Sequence, residues 1–232
     1  MINLLKGLFD KYNIKHNTQM LSQLNMFYEM VIEKNKQFNL TAITQKDEFA
    51  TKHILDSVLP NTLIPNGATV IDVGAGAGFP SIPLKIIRPD INIVMLDSLN
   101  KRVNFLNEVV TKLNLQNAVA VHERAEDYAL KNRECFDVAI SRAVASLNTL
   151  SEYCLPFVKI GGSFVALKGS SHKEELALAQ NAISVLGGEL QTVQLLNVEE
   201  IDGERANLVI KKIAKTPQKY PRGKNQPRIK PL

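Results

Sequence analysis

The chain has 232 residues, of which 45% are hydrophobic and 22% charged, which is typical of a globular protein with a substantial core. Lys6, Asp10 and Lys11 interrupt the apolar residues of the first segment, which excludes a signal-peptide core or membrane span there, so we expect a cytoplasmic location. Cys135 and Cys154 lie in no CxxC or Cys/His spacing. We therefore expect both to be small buried side chains and predict no metal site.

The net charge of +5 is concentrated at one end of the chain. Residues 211–232 contain eight Lys and Arg residues and no Asp or Glu, so residues 1–210 carry a net charge of −3. A cationic segment of this kind is typical of a protein that contacts a polyanion. The alternative is a solvated, disordered tail.

Apolar residues recur at helical spacing over residues 2–14 and 18–36, and Asn17 or Thr18 is placed to cap the second helix. A third helical stretch runs from about Asp47 to Leu59 and is expected to stop at Pro60. These segments predict an N-terminal helical extension over residues 1–64.

From Ala68 onward, short apolar runs alternate with amphipathic ones, which predicts βαβ units in an α/β fold. The predicted strands are Thr69–Val73, Asn92–Leu96, Val119–His122, Phe136–Ser141, Gly162–Leu167, Glu189–Leu196 and Ala206–Lys212. Helices are predicted over about 81–88, 100–113, 146–157 and 172–186. The last two strands leave little room for a crossover helix, so they should form an antiparallel edge hairpin. We predict a doubly wound, mostly parallel seven-stranded domain over residues 65–214 and a basic, extended tail over residues 215–232.

Glycines follow the first predicted strand directly, in the run Gly74-Ala-Gly76-Ala-Gly78 before Phe79. This is the turn at which doubly wound folds bind nucleotides, because glycine permits positive φ and a close approach of the backbone to a ligand. Phe79 stands where a dinucleotide fingerprint has its third glycine, which favours a cofactor without a pyrophosphate. A tight turn that binds no ligand is the alternative.

Two later positions favour an adenosyl cofactor. Asp97 ends the second strand, 23 residues after Gly74, where its carboxylate can accept hydrogen bonds from both ribose hydroxyls. Its alternative role is to cap the next helix. Ala125 and Glu126 follow the third strand, where an amide and a carboxylate could meet the adenine edge or could form a capping pair on a turn. Together these features favour S-adenosylmethionine over NAD.

Several cations are candidates for contact with the cofactor or with a polyanionic partner. Arg142 ends the fourth strand, where it could contact the cofactor or the target base, or serve as a surface ion-pair partner. Lys168 follows the fifth strand and could meet a phosphate or simply terminate the strand. Lys101 and Arg102 open a helix, where their charge opposes the helix dipole and suggests an anionic ligand. The tail interleaves an aromatic ring with cations, namely Lys219, Tyr220 and Arg222, which suits RNA contact.

The sequence resembles the RsmG (GidB) family, the bacterial guanine-N7 methyltransferases of small-subunit rRNA. The similar segments are FNLTAI from Phe38, HILDSV from His53, DVGAGAGFPSIPLKI from Asp72, LDSLNKRVNFL from Leu96, ISRAVASL from Ile140, ALKG from Ala166 and KYPR from Lys219. The resemblance implies a class I, Rossmann-like methyltransferase that uses S-adenosylmethionine to methylate one guanine of 16S rRNA. It implies cofactor contacts at Gly74, Phe79, Ala125, Glu126 and Arg142; from the residues alone we add Gly76 and Asp97.

The expected reaction needs no general base, because the guanine N7 lone pair carries no proton, so we predict no catalytic residue beyond positioning by Arg142 and Lys168. We assign no chemistry to His53, whereas Asn39 and Asp56 could shape the target pocket or could be structural. The expected partner is 16S rRNA or the small subunit, without metal or membrane, and a monomer is expected. The alternatives are a small-molecule or protein methyltransferase of the same fold, a non-catalytic RNA-binding module that senses the cofactor, or an NAD oxidoreductase.

Overall fold

The structure, a computed structural model, describes all 232 residues. The α-helices are α1 Ile2–Lys11, α2 Thr18–Asn35, α3 Lys46–Glu48, α4 Asp56–Val58, α5 Ser81–Ile87, α6 Asn100–Lys112, α7 Ala125–Lys131, α8 Leu147–Cys154, α9 His172–Val185 and α10 Gln226–Ile229. The strands are β1 Thr69–Val73, β2 Asn92–Asp97, β3 Ala118–His122, β4 Phe136–Arg142, β5 Val158–Lys168, β6 Gly188–Leu196 and β7 Arg205–Lys212. All seven predicted strands are confirmed, and β5 begins four residues earlier than predicted.

The seven strands form one sheet in the order β3-β2-β1-β4-β5-β7-β6. The pairs β2–β3, β1–β4 and β4–β5 are parallel, whereas β7 pairs antiparallel with both β5 and β6. The predicted parallel sheet with an antiparallel edge hairpin is therefore confirmed. Parallel strands joined by crossover helices place their following turns at one edge of the sheet, which is where doubly wound folds bind ligands.

The chain divides into two compact units. We call Met1–Gly67 with Ala75–His122 the N-terminal unit, and Ala68–Gly74 with Glu123–Leu232 the C-terminal unit. No helix combines the length and apolar character needed to cross a lipid bilayer.

The N-terminal unit contains the predicted helices of the extension. Asn17 caps α2, because its side chain accepts a 2.9 Å hydrogen bond from the Met20 amide. The apolar face of α2 buries Leu24, Phe27 and Val31 completely. Burial of three such side chains stabilises the unit by roughly 1.5–3 kcal/mol each.

The third helical stretch differs from the prediction that it stops at Pro60. It passes from α3 into a π-helix at Phe49–Leu55, then α4, and continues as a 3₁₀ helix over Leu59–Leu63. Pro60 is accepted in the first turn of that 3₁₀ helix, where a missing backbone N–H removes no helical hydrogen bond. A π-turn inside a helix cannot be read from apolar spacing alone.

In the C-terminal unit, the basic tail, residues 215–232, is packed against the domain. Thr216 and Tyr220 are buried, and the Arg133 guanidinium donates to the carbonyl oxygens of both residues at 2.8 and 2.6 Å. Residues Gln226–Ile229 form the short helix α10. The solvated tail is therefore ruled out, and an extended conformation is wrong for α10, because internal donors and acceptors hold this segment on the unit.

The expectation for the cysteines is confirmed at Cys154, which is fully buried, and wrong at Cys135, which is exposed. Cys135 lies in the turn before β4, and its thiol donates to the Arg133 carbonyl at 3.1 Å. Burial and the Asp72 charge raise the pKa of the Cys154 thiol well above its usual value, so that thiol is un-ionised and inert at neutral pH.

Candidate functional site

The glycine turn after β1 has the backbone conformation that the sequence predicts. Gly74, Gly76 and Gly78 have φ of +79°, +59° and +98°. At Gly74, a Cβ atom would lie 2.5 Å from Val144 Cγ2, so the turn excludes any side chain there on two grounds, conformation and space.

Asp97 supports the same turn from the end of β2. Its carboxylate accepts a 2.9 Å hydrogen bond from the Gly76 amide and a 2.8 Å hydrogen bond from the Leu99 amide. Arg102 Nη1 lies 3.5 Å from the same carboxylate, and Asp97 is only 4% exposed. A carboxylate has about four acceptor positions, so two amides leave capacity for further donors. Asp97 therefore both orders the turn before α6 and retains acceptor capacity.

Phe79 lies in an aromatic cluster of the N-terminal unit. Its ring stacks on His53 with centroids 4.3 Å apart, and it contacts Phe27 and Phe49 at 5.3 and 5.5 Å. His53 Nε2 is 2.7 Å from the hydroxyl of Thr41. Sequence reasoning missed this role for His53, because 26 residues separate it from Phe79 and no local pattern joins them. His53 positions the phenyl ring that follows the glycines.

The remaining candidates of the N-terminal unit differ in exposure. The Lys101 side chain is exposed, with its ammonium 4.9 Å above the Phe38 ring. Asn39 is exposed, whereas Asp56 is buried. Arg102 is half-buried beside Asp97, so the cation that opposes the helix dipole is offset by a carboxylate of its own unit.

Glu126 lies in the C-terminal unit, on a helix that was not predicted. Helix α7 starts at Ala125, and Glu126 in its first turn is 5% exposed. Arg124 Nε donates to the Glu126 carboxylate at 3.2 Å. Burial and the Glu126 charge raise the pKa of the Tyr153 phenol. Arg142 ends β4 and is half-buried.

Lys168 is held by groups of its own unit. Its ammonium donates to the Ala145 carbonyl at 2.8 Å and to the Glu175 carboxylate at 2.7 Å, and the residue is 8% exposed. Burial opposes ionisation of Glu175, but the bonds from Lys168 and Ser171 outweigh it and lower the pKa of Glu175. These contacts give Lys168 a structural role within its own unit, and its contact with RNA stays a prediction.

Of the three tail residues predicted to contact RNA, only Lys219 is exposed. Its ammonium lies 5.2 Å from the centre of the Tyr220 ring, which is itself buried. Arg222 donates through Nε and Nη2 to Glu152 at 2.9 and 2.6 Å, and Glu152 is fully buried. This bidentate pair raises the pKa of Arg222 and fixes the tail at that point.

The structure has no group of three or more His, Cys, Asp or Glu side chains arranged to hold a metal ion. A cavity of about 220 Å³ lies in the N-terminal unit, between α2 and the turns after α5 and α6. Its lining includes Met20, Gln23, Lys85 and Asn114 and none of the predicted site residues. Lys85 is buried there, with its ammonium on the carbonyls of Pro89 and Ile91 at 2.9 and 2.5 Å.

Similarity to solved structures identifies the class of fold. The structure of M. jannaschii TYW2 in complex with AdoMet matches with a TM-score of 0.56 at 13% identity, over 73% of this chain and 76% of that chain. A SAM-dependent methyltransferase from Aquifex aeolicus matches with a TM-score of 0.53 at 16% identity, over 78% of this chain and 98% of that chain. The chain therefore has the Rossmann-like methyltransferase fold.

Sequence similarity then identifies the family. The family described as GidB, rRNA small subunit methyltransferase G, matches residues 20–205. Proteins named Ribosomal RNA small subunit methyltransferase G are similar over nearly the whole chain: 51% identity in Desulforamulus reducens, over 89% of this chain and 88% of that protein, and 46% in Lactobacillus johnsonii, over 96% and 95%. The chain belongs to the rRNA small subunit methyltransferase G family.

Proposed function

We propose that this protein is an S-adenosylmethionine-dependent methyltransferase that methylates N7 of one guanine in 16S rRNA. The family match over residues 20–205, which includes the glycine turn and Asp97, is the observation that carries the proposal. The substrate is 16S rRNA or the small subunit, and we further propose that the protein acts in the cytoplasm as a monomer without a metal.

In the N-terminal unit, Gly76, Phe79 and Asp97 are proposed to contact the cofactor. The buried Asp97 carboxylate is suited to bind ribose hydroxyls. It accepts hydrogen bonds from two backbone amides, which leaves some of its acceptor positions for hydroxyl donors. Gly76 has φ of +59°, a conformation that glycine adopts without the penalty of a Cβ. Phe79, backed by His53, offers an apolar face to an adenosyl group that carries no phosphate.

In the C-terminal unit, Gly74, Ala125, Glu126 and Arg142 are proposed to contact the cofactor. Glu126 is buried on the first turn of α7, where its carboxylate can accept from an exocyclic amine such as that of adenine. Arg142 at the end of β4 is positioned by a strand whose carboxyl end faces ligands in this fold.

The bound cofactor supplies a sulfonium methyl group, and the guanine N7 lone pair needs no proton removed. The residues of this chain therefore act by orientation and by excluding water, which can together supply a large part of a rate enhancement. Among the predicted RNA contacts, Lys101 and Lys219 are exposed cations, and Arg102 is half-buried beside Asp97. Direct RNA contact by Lys168, Tyr220 and Arg222 stays part of the proposal, and the internal bonds of Lys168 and Arg222 would hold these side chains in place.

The test is incubation with labelled S-adenosylmethionine and small subunits from cells that lack this gene, followed by mass mapping of the rRNA nucleosides. We expect one 7-methylguanosine to form, and we expect the Asp97→Ala variant to form it much more slowly at low cofactor concentration. Background counts with a protein that binds the cofactor would support the non-catalytic module instead. Transfer to a small molecule or protein, insensitive to salt, would support the alternative methyltransferase.

A further inference from the structure

The residues between β4 and α8, 143–146, form what we call the Val144 loop. Ala143 has φ of +55°, a left-handed conformation that residues with a Cβ rarely adopt. A strained turn persists only where its surroundings hold it. The loop is held through the carbonyl of Val144, the carbonyl of Ala145 and, one residue on, the amide of Leu147.

Each of these backbone groups has a side-chain partner from a later part of the chain. Lys168 and Glu175 hold Ala145 and Leu147 at 2.8 Å each. Arg228 of helix α10 donates through Nη2 to the Val144 carbonyl at 3.2 Å. The basic tail therefore supplies one of three points that fix the Val144 loop.

The Val144 loop in turn defines the space beside the glycine turn. The Val144 isopropyl group fills the position that a Cβ at Gly74 would occupy, 2.5 Å from Cγ2. A shift of the Val144 backbone would move this group against, or away from, the turn at which we place the cofactor. The loop also begins directly after Arg142, the last residue of β4, so a change in the loop would also affect the position of Arg142.

The tail residues around Arg228 are docked firmly enough to transmit such an effect. Thr149 on α8 donates to the Pro227 carbonyl at 3.0 Å, and Pro227 is buried. The pKa of the Tyr153 phenol on α8 is raised by burial and by Glu126, and the charge and hydrogen bond of Arg228 partly oppose this. Arg228 is thus bonded to the Val144 loop and acts on the Tyr153 phenol of α8.

We propose that Arg228 is a positioning residue for cofactor binding. Through it, docking of the basic tail raises the affinity of the glycine turn for the cofactor. The inference rests on the proposed function, because it takes the ligand of the turn to be S-adenosylmethionine. Coupling between two sites is reciprocal, so cofactor binding must stabilise the docked tail by the same factor that docking raises cofactor affinity.

The first test is calorimetric titration of S-adenosylmethionine without RNA into wild type, Arg228→Ala, Arg228→Lys and Lys230→Ala. Lys230 is the matched control, an exposed tail cation whose side chain holds no part of the loop. We expect Arg228→Ala to weaken affinity roughly three- to tenfold, the net effect of one ordinary hydrogen bond, and Arg228→Lys to recover part of it. Lys230→Ala should stay within about twofold of wild type.

Equal affinities for wild type and Arg228→Ala would overturn the coupling while leaving the proposed function intact. Failure of wild type to bind the cofactor at all would instead contradict the proposed function. Equal weakening in Arg228→Ala and Lys230→Ala would show a general effect of charge, which also overturns the role of Arg228.

The reciprocal effect gives a second readout. Lys224 is exposed in the tail, so trypsin cleavage after it reports how often the tail undocks. We expect the cofactor product, S-adenosylhomocysteine, to slow this cleavage in wild type and in Lys230→Ala, and to have little effect in Arg228→Ala. Equal protection of all three variants would contradict the proposal, as would protection of none.

Discussion

The carboxylate of Asp97 accepts a hydrogen bond from the Gly76 amide at 2.9 Å, so the residue that we propose binds the cofactor ribose also orders the glycine turn. Its second bond, from the Leu99 amide at 2.8 Å, fixes the start of the segment leading into α6. A substitution of Asp97 is therefore expected to change both the geometry of the turn and the proposed contact with the ribose. Comparing ligands with and without a ribose hydroxyl separates the two effects.

Asp97→Asn should abolish discrimination at the ribose. We expect wild type to bind a 2′-deoxy analogue of the cofactor about tenfold more weakly than the natural ligand, because the carboxylate loses a donor. The variant should bind both ligands weakly and almost equally. Titration of the four pairs measures this, and undiminished discrimination in the variant would show that Asp97 only shapes the turn.

Gly74→Ala should lower the free energy of unfolding by more than the strain of its backbone conformation alone. Gly161 has φ of +86° and no atom within 4 Å of the place where a Cβ would stand, so Gly161→Ala isolates the conformational cost, roughly 1–2 kcal/mol. Gly74→Ala adds the overlap with Val144 and should destabilise the fold by a further 1–3 kcal/mol or so. Urea unfolding compares them, and only Gly74→Ala should weaken cofactor binding. Equal losses of stability would mean that Val144 moves aside freely.

The Arg222–Glu152 pair should show strong coupling. Glu152 is fully buried, so Arg222→Met leaves an uncompensated charge, with an expected loss of about 3–5 kcal/mol in the free energy of unfolding. The double variant Glu152→Met with Arg222→Met should be less destabilised than the sum of the single variants. Denaturant unfolding of all four proteins checks this. Additive losses would show that the pair contributes no interaction of its own.

Lys212 should make stability rise with pH. Burial lowers the pKa of its ammonium to about 8, partly offset by the Glu134 charge. Between this value and the ordinary lysine pKa, the unfolded chain holds the proton that the folded chain has lost, so folding gains from a rise in pH. Below about pH 8 both states are protonated and the gain is absent.

The measurement is the difference in unfolding free energy between wild type and Lys212→Met. We expect it to move in favour of wild type by roughly 1–2 kcal/mol between about pH 7.5 and about pH 9.5. Contacts to Leu155 and Thr216 are lost in the variant at every pH, so they cancel from the slope. Parallel curves for the two proteins would contradict the lowered pKa.

Lys219→Gln should weaken RNA binding and lower its salt dependence. Lys219 is an exposed cation, so we expect the slope of log affinity against log salt to fall by about one. Lys173→Gln is the control, because Lys173 is also exposed, on α9, but lies 3.7 Å from Glu204. Filter binding with 16S rRNA at several salt concentrations distinguishes them. Identical slopes for both variants would remove Lys219 from the RNA surface.

The fold was largely predictable because each strand is an apolar run bounded by turn residues, and their order in the chain predicts the parallel sheet. Helix α7 escaped prediction because it is short and Glu126 and Asp127 resemble a capped turn. The change to 3₁₀ geometry at Leu59–Leu63 escaped because Pro60 normally ends a helix.

The site was predictable only where its residues follow strands. Gly74, Asp97 and Arg142 are set by strand ends, so their places follow from the fold. The carboxylates that pair with Arg222 and Lys168 do not follow strands and could not be predicted. Glu152 lies 70 residues before Arg222, and a reversal of the chain brings Glu175 to Lys168. A cation that looks free in sequence can be neutralised by such contacts, as both of these are.

The outer strand β6 leaves one side of its backbone without a neighbouring strand. An open rim of nine residues could recruit a strand from another polypeptide and start aggregation. Two features oppose this: the register slips between Leu190 and Thr192, and Glu189 and Gln191 are exposed along the strand. Replacing Glu189 and Gln191 by valine should raise the tendency of β6 to pair with other chains, without altering the glycine turn.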